Sequence, residues 1–315
     1  MTVATAPGKI ILFGEHAVVY GRPAIAAPVS QLRATAVVTP GNQPGIRLIA
    51  PDLSKDVQLA ALPPDDALAL AVHQVRETAK LAQLPDLTIT VSSQIPIAAG
   101  LGSGAAIAAA VIRALAQFLH TPRLLTNEMV SALTYEVEKI HHGTPSGIDN
   151  TVVAYEQPVY FVRRQPQNLI EPFGVKRPLH LLVGNTGVRS NTRDVVLDVR
   201  RQWEADPATF ETIFDACGQI AQAARTAIEQ GDVPQVGQLM QENHAWLQKL
   251  TVSSPELDQL VDAANNAGAL GAKLSGAGRG GNMIALVTPE TETAVNQSLH
   301  AAGATTIHTT TIHPR

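Results

Sequence analysis

Residues 95–106 read IPIAAGLGSGAA. Gly100, Gly102 and Gly104 stand between a strand-like run, DLTITVSS (86–93), and an Ala-rich stretch of helical character. Glycines this dense let the backbone turn tightly and approach a ligand closely. The helix expected from Ser103 begins with N–H groups that have no intrahelical partner, and these suit a phosphate. A plain strand-to-helix turn needs only one glycine, so the cluster points to an anion. The helix-end field contributes about 0.3–1 kcal/mol when exposed and up to about 2 when partly buried. That is too little for tight nucleotide binding. The Gly-Lys-Ser/Thr ending of a P-loop is missing, so further charge must come from elsewhere in the chain.

The bulk composition narrows the classes. The chain has 315 residues, 45% of them hydrophobic, which suits about two domains. Charged residues make up 16% and the net charge is −4. No basic block stands out, which argues against a nucleic-acid partner. An anionic ligand must be held by a few placed groups. The single cysteine, Cys217, excludes an internal disulfide and a Cys-rich zinc site, and in its helical context it reads as a small core residue. The N-terminus has no basic region and reaches Pro-Gly at residues 7–8, unlike a signal peptide. The longest apolar run, Ala105 to Ile112, is far short of the roughly 20 residues that span a bilayer. The expectation is a cytoplasmic protein with no membrane segment.

Patterning gives the organisation. KIILF, AIAAPV, RATAVVT and IRLIA read as strands in the first 50 residues. A helix is expected after LPPDD, with Leu68, Val72, Val75, Ala79 and Leu81 facing inward. Helices follow over about 103–119 and 127–141, and PVYFV closes the half as a strand. The polar stretch RRQPQNLIEPFGVKRP (163–178) marks the boundary, giving domains 1–170 and 171–315. LHLLVG restarts a strand, and residues 191–267 read as helices broken near Gly231 and TVSSPE. GAKLSG, MIALV and TTIHTTTIH return to strands. Without strict alternation of strand and helix, the fold class is α+β.

Several polar residues stand out in so apolar a chain. Lys9 enters a buried-looking strand; either its charge is used or its stem snorkels to the surface. Glu15 and His16 follow, a functional pair or a turn pair. In EKIHHGTPSGIDN (138–150), Glu138 near a helix end and Asp149 beyond a Gly/Thr/Pro/Ser turn can converge on one cation or one proton. The adjacent His141 and His142 lack zinc spacing. A second glycine cluster, SGAGRGG (275–281), matches the dinucleotide fingerprint in letters only, because a strand follows it and not a helix.

Taken in order, three segments resemble the three motifs of the GHMP kinase family: APGKIILFGEHAVVYG (6–21), IPIAAGLGSGAA and KLSGAGRGG (273–281). Glu-His-Ala-Val-Val in the first, HHGTPSGIDN (141–150) and GNTGVRSNTRDVV (184–196) resemble the mevalonate kinases of that family more than its galactokinases or homoserine kinases. The matches run from residue 6 to about 287. The resemblance implies a two-domain α+β fold, with a ribosomal protein S5 domain 2-like N-terminal domain containing a left-handed βαβ unit and a ferredoxin-like C-terminal domain, the active site lying in the cleft between. It implies ATP and Mg²⁺, transfer of the γ-phosphate to the 5-hydroxyl of mevalonate, and a homodimer. It implies Asp149 as catalytic base, Lys9 as its stabilising partner, and Glu138 as a magnesium ligand. Pro96, Ala99, Gly100, Leu101, Gly102, Ser103, Gly104 and Ala105 would contact ATP; Glu15, His16, Ser146, Thr192, Gly276 and Ala277 would contact the acceptor. Two positions depart from the family pattern. Gly104 replaces the second serine of the loop, a magnesium ligand, so Ser103 or water must take its place. Arg279 replaces a glycine, and it either reaches a phosphate or points to solvent. The family also contains kinases of other acceptors, such as phosphomevalonate, and the fold can serve as a non-catalytic ligand sensor.

Overall fold

The computed structural model describes residues 1–96, 99–142 and 145–314. Ile97 and Ala98 of the glycine-rich stretch, Gly143 and Thr144 of the 138–150 turn, and the side chains of His141 and His142 lie outside the described residues. The chain forms two compact units, Met1–Lys9 with Pro28–Glu156 and Ile10–Ala27 with Gln157–Arg315. β1 (Thr2–Phe13) and β2 (Ala24–Pro40) contribute residues to both. AIAAPV and RATAVVT are thus parts of one strand. Pro28 does not break it, because proline removes one donor and its fixed φ is compatible with extended backbone.

In the first unit, β3 (Ile46–Ala50) runs parallel to β5 (Leu87–Ser93) and antiparallel to β4 (Lys55–Gln58). β5 also pairs with the second half of β2, placing Ala36 opposite Val91 and Val38 opposite Ile89. α1 (Ala67–Thr78) starts at an Asp66 cap and buries Leu68, Val72 and Val75, whereas Leu81 lies beyond its end and is exposed. α2 (Ser103–Phe118) is the central helix. From Ala105 to Ala116 every residue except Ile107 and Arg113 is buried. A helix that is apolar on nearly all sides must be surrounded, and α1, α3 (Asn127–His142), α4 (Ile148–Tyr155) and β5 pack around it. α4 is absent from the sequence-level expectation; it is short and its N-cap, Gly147, offers no side-chain acceptor.

In the second unit, β6 (Val159–Val162) pairs with the start of β2 and with β7 (Leu169–Pro172). β8 (Leu179–Asn185) is followed by α5 (Thr192–Ala205), α6 (Pro207–Gln230), α7 (Val233–Lys249) and α8 (Pro255–Asn266). β9 (Gly271–Ser275), β10 (Asn282–Val287), α9 (Glu292–Ala301) and β11 (Thr306–Ile312) complete the chain. The break between α5 and α6 falls at Asp206–Pro207, where Asp206 caps α6 and proline takes its first turn. The antiparallel sheet has the order β11-β8-β10-β9. Counting its strands in chain order, this is 4-1-3-2 with βαββαβ connectivity, the ferredoxin-like arrangement with the first crossover expanded to four helices. Leu182, Phe214, Leu247, Leu260, Met283 and Val295 are among its core. Tyr20 stacks on Phe214 with ring centroids 4.0 Å apart. Among the described residues no helix is long and apolar enough to cross a membrane.

His244 ties α7 to this sheet. Its Nδ1 accepts the Leu274 N–H at 3.3 Å, so the proton sits on Nε2, which donates to Asp258 Oδ1 at 3.1 Å. Burial holds the imidazole below its usual pKa, although Asp258 pulls the other way. A histidine buried neutral binds fewer protons folded than unfolded. Its contribution is therefore complete above the unfolded pKa near 6.5 and is lost as pH falls below it. The stability difference between pH 7.5 and 5.5, read by urea unfolding, should be smaller in His244→Gln than in wild type by about 1 kcal/mol. An unchanged difference would contradict the neutral assignment.

Candidate functional site

In the first unit the site is built on β1, the glycine loop and α4. The Lys9 N–H donates to the Leu101 carbonyl at 2.9 Å, which stitches β1 to the loop. The lysine stem then lies against Gly102. A Cβ on Gly102 would fall 2.8 Å from Lys9 Cγ, and its φ of +71° is itself unfavourable for a side chain. Lys9 Nζ reaches to 3.4 Å from Asp149 Oδ1, with side-chain exposures of 13% and 29%. Asp149 sits in the first turn of α4, where a negative charge complements the helix dipole. α4 is pinned to α3: Asn150 Nδ2 donates to Ser131 O and Oγ at 3.1 and 2.9 Å. Glu138, on α3, is 4% exposed. Burial, and secondarily the charge of Asp149, raise its carboxyl to about 7, while Lys9 acts in the opposite direction. Glu138, Asp149 and Lys9 are therefore electrostatic neighbours, as the 138–150 spacing suggested for the two carboxylates.

Like α4 and α9, α2 starts without a side-chain cap, but unlike them it also has no acidic residue in its first turn. α1, α5, α6, α7 and α8 each open on an Asp, Asn or Ser whose side chain accepts a first-turn N–H. α2 opens on Gly102 with no side-chain cap and no acidic residue in its first turn. The first intrahelical bond is Ala106 N–H to Gly102 O at 3.1 Å, which leaves the N–H groups of Ser103, Gly104 and Ala105 without an intrahelical acceptor. Ser103 and Gly104 are half-buried, within reach of a ligand. Pro96 and Ala99 are likewise half-buried, Gly100 is exposed, and Leu101 and Ala105 are buried.

The second unit carries the first motif from Ile10 onward and the whole of the third. The Ala17 N–H donates to Glu15 O at 2.6 Å, and His16 has φ 58° and ψ −47°. This is a γ-turn of the positive-φ kind, rare for any non-glycine residue, and such strain costs about 1–3 kcal/mol. His16 is 6% exposed and its Nε2 donates to Ala277 O at 2.8 Å. The Glu15 carboxylate is enclosed and hydrogen-bonded to Lys273 Nζ, which also donates to Leu274 O at 2.7 Å. Burial pushes Glu15 up and Lys273 down, while each favours the charged form of the other. Ser275 Oγ donates to Ile11 O at 2.8 Å. The 11–17 and 273–277 segments are therefore stitched at several points.

Arg279 has partners within the second unit. With φ at +54°, it occupies a left-handed conformation in keeping with the family's glycine. Its guanidinium pairs with Asp198 on α5, and Nε donates to Thr251 O at 3.0 Å. Of the remaining expected residues, Thr192 is exposed at the start of α5, just after the Asn191 cap. Ser146 is exposed and its Oγ accepts the Ile148 N–H at 3.3 Å. Gly276 has φ +97° and open space where a Cβ would be. Lys273 escaped the sequence reading. The signal was available, since it is a lysine inside the apolar strand GAKLSG, the same anomaly that marked Lys9. Cys217 is buried with its thiol pushed up to about 12, first by burial and then by Glu15, which agrees with a core role.

A divalent cation fits the first unit chemically. Glu138 is a desolvated carboxylate beside a second carboxylate, and a nearby cation would favour its anionic form. Among the described residues no group of three or more His, Cys, Asp or Glu is arranged to hold a metal. Magnesium takes few carboxylates and completes its shell with water and phosphate oxygens.

Known proteins resemble this chain in sequence and fold. The family described as GHMP kinases N terminal domain matches residues 67–157, and GHMP kinases C terminal matches 224–305. The mevalonate kinase of Thermococcus gammatolerans is 38% identical over 96% of this chain and 94% of its own length. That of Thermococcus onnurineus is 37% identical over the same shares. The crystal structure of L. major mevalonate kinase in complex with R-mevalonate superposes with a TM-score of 0.85 and 32% identity, over 100% of this chain and 96% of that one. The Methanococcus jannaschii mevalonate kinase gives a TM-score of 0.85 at 28% identity, covering 99% and 98%. With these motifs, this βαββαβ unit and this kinship over nearly its whole length, the chain belongs to the mevalonate kinases of the GHMP kinase family.

Proposed function

We propose that this enzyme transfers the γ-phosphate of ATP to the 5-hydroxyl of mevalonate, giving 5-phosphomevalonate. The observation that carries the mechanism is the Lys9–Asp149 pair lying directly against the glycine loop. Asp149 accepts the hydroxyl proton as the oxygen attacks the γ-phosphorus. The O–P bond forms while the bond to the β-phosphate oxygen breaks, and the proton leaves Asp149 for solvent afterwards. Lys9 stabilises the carboxylate and the charge that builds on the oxygens in flight. The free N–H groups at Ser103, Gly104 and Ala105 cradle the phosphates, with Pro96, Ala99, Gly100, Leu101 and Gly102 shaping the loop. Glu138 and the Ser103 hydroxyl would hold Mg²⁺, which when bound neutralises phosphate charge. Gly104 supplies only its backbone N–H. His16, Ser146, Thr192, Gly276 and Ala277 are the proposed acceptor contacts. Glu15, expected beside them, is enclosed and acts through its neighbours. The division into domains 1–170 and 171–315 belongs to the same proposal, and the two family matches each fall within one of them. So do a homodimer, which rests on family resemblance, and a cytoplasmic location, which is the expectation from the sequence.

Purified protein with ATP and Mg²⁺ should release ADP with mevalonate at a higher kcat/KM than with phosphomevalonate. The reverse preference would overturn the acceptor assignment. Asp149→Asn should lower kcat by about 10²–10⁴ and leave nucleotide affinity nearly intact; a kcat near wild type would remove Asp149 from the role of base. Lys9→Met should cost about 2.7–4 kcal/mol in kcat/KM, and a loss well under about 1 kcal/mol would make Lys9 peripheral.

A further inference from the structure

The buried Glu15–Lys273 pair is a poor choice if stability were its only purpose. Both side chains are almost wholly enclosed, with exposures of 1% and 0%. Glu15 Oε2 makes no hydrogen bond of good geometry among the described residues, although the backbone at Glu15 and Gly276 lies close enough to favour the charged carboxylate. Taking two charges out of water is costly, and apolar side chains of similar volume often stabilise as well or better. A buried oxygen whose hydrogen bonds are poorly aligned adds to that cost.

The location of the pair suggests what it does. Glu15 is the first residue of the γ-turn, immediately before the strained His16. Lys273 ends its reach at the Leu274 carbonyl, two residues before Gly276. His16 closes the loop of contacts through Ala277 O. Gly14, which leads into the turn, admits no side chain: its Cβ would meet Pro23 O at 2.3 Å. The turn is thus packed against Pro23 on one side and hydrogen-bonded to the 273–277 segment on the other. The ion pair adds to these bonds a contact with one favourable geometry, which an apolar contact would not supply.

We propose that Glu15 and Lys273 are positioning residues, whose ion pair locks the 15–17 turn and the 276–277 backbone in one register and thereby fixes His16 for the acceptor. This rests on the proposed function in one respect, that His16 meets the acceptor. The register itself stands apart from it.

The test is the double variant Glu15→Leu/Lys273→Met, which removes both charges while keeping apolar bulk. Two readouts are needed. Backbone hydrogen exchange of the 276–278 segment should accelerate although the thermal midpoint holds. The KM for mevalonate should rise by about 10–100-fold, the effect of a small misplacement at a reacting centre, while the KM for ATP stays within about twofold. Unchanged exchange overturns the proposal whatever the acceptor proves to be. Faster exchange with both KM values rising together, or with neither rising, overturns the link to His16. A wild-type enzyme inactive on mevalonate defeats the proposed function, and the exchange measurement still decides the register. Should that variant fail to fold, Glu15→Gln/Lys273→Gln carries the same two readouts, since it also removes both charges and leaves no buried ion unpaired.

Discussion

The ammonium of Lys9 lies 3.4 Å from the Asp149 carboxylate because Gly102 has no side chain. At an effective dielectric constant of 20 the gross attraction at such a separation is about 4 kcal/mol, before desolvation is subtracted. Much of the first unit serves that contact. β1 delivers Lys9 and is held to the loop through Leu101 O. α2, buried on almost every side, fixes where the loop ends. α4 presents Asp149 and is held to α3 by Asn150 and Ser131. The lysine beside this loop comes from over ninety positions upstream, and it faces the Asp149 carboxylate.

The second unit uses the same chemistry to a different end. Lys273 and Glu15 are also a lysine and a carboxylate brought together across a long stretch of chain, but they are enclosed where Lys9 and Asp149 are partly open. Burial decides what each pair can do. A pair with one member 29% exposed can be reached by a substrate hydroxyl. A pair at 0% and 1% cannot, and can only set the position of what surrounds it. What surrounds it is a strained histidine and a glycine loop. Strain of this kind persists only where neighbouring structure over-determines it.

How legible this was depended on whether the signal was local. The α2 helix, the α7 and α8 segments and the β8–β11 strands follow from apolar runs and their breakers, and all are present. α4 was not legible, because an eight-residue helix opening on glycine has neither a cap nor a long period to betray it. The convergence of Glu138 and Asp149 could be read from their spacing across a turn. Pairing of Lys9 with Asp149 could not be derived from spacing, being a contact between residues 140 positions apart, and came from resemblance alone. The Lys273–Glu15 pair shows the same limit. A lysine inside an apolar strand announces that its charge is used, yet nothing local says by whom. Arg279 is a further case, since its partner Asp198 lies on a helix 81 residues away.

If Lys9 and Asp149 act as one unit, their losses cannot be independent. The most direct measurement is a double-mutant cycle on kcat with Lys9→Met, Asp149→Asn and the combined variant. Residues that work as a unit are strongly non-additive. The combined variant should therefore fall little further than the worse of the two single variants. Losses that multiply, so that the combined variant shows the full product of the two, would contradict a shared role and leave the contact as a coincidence of packing.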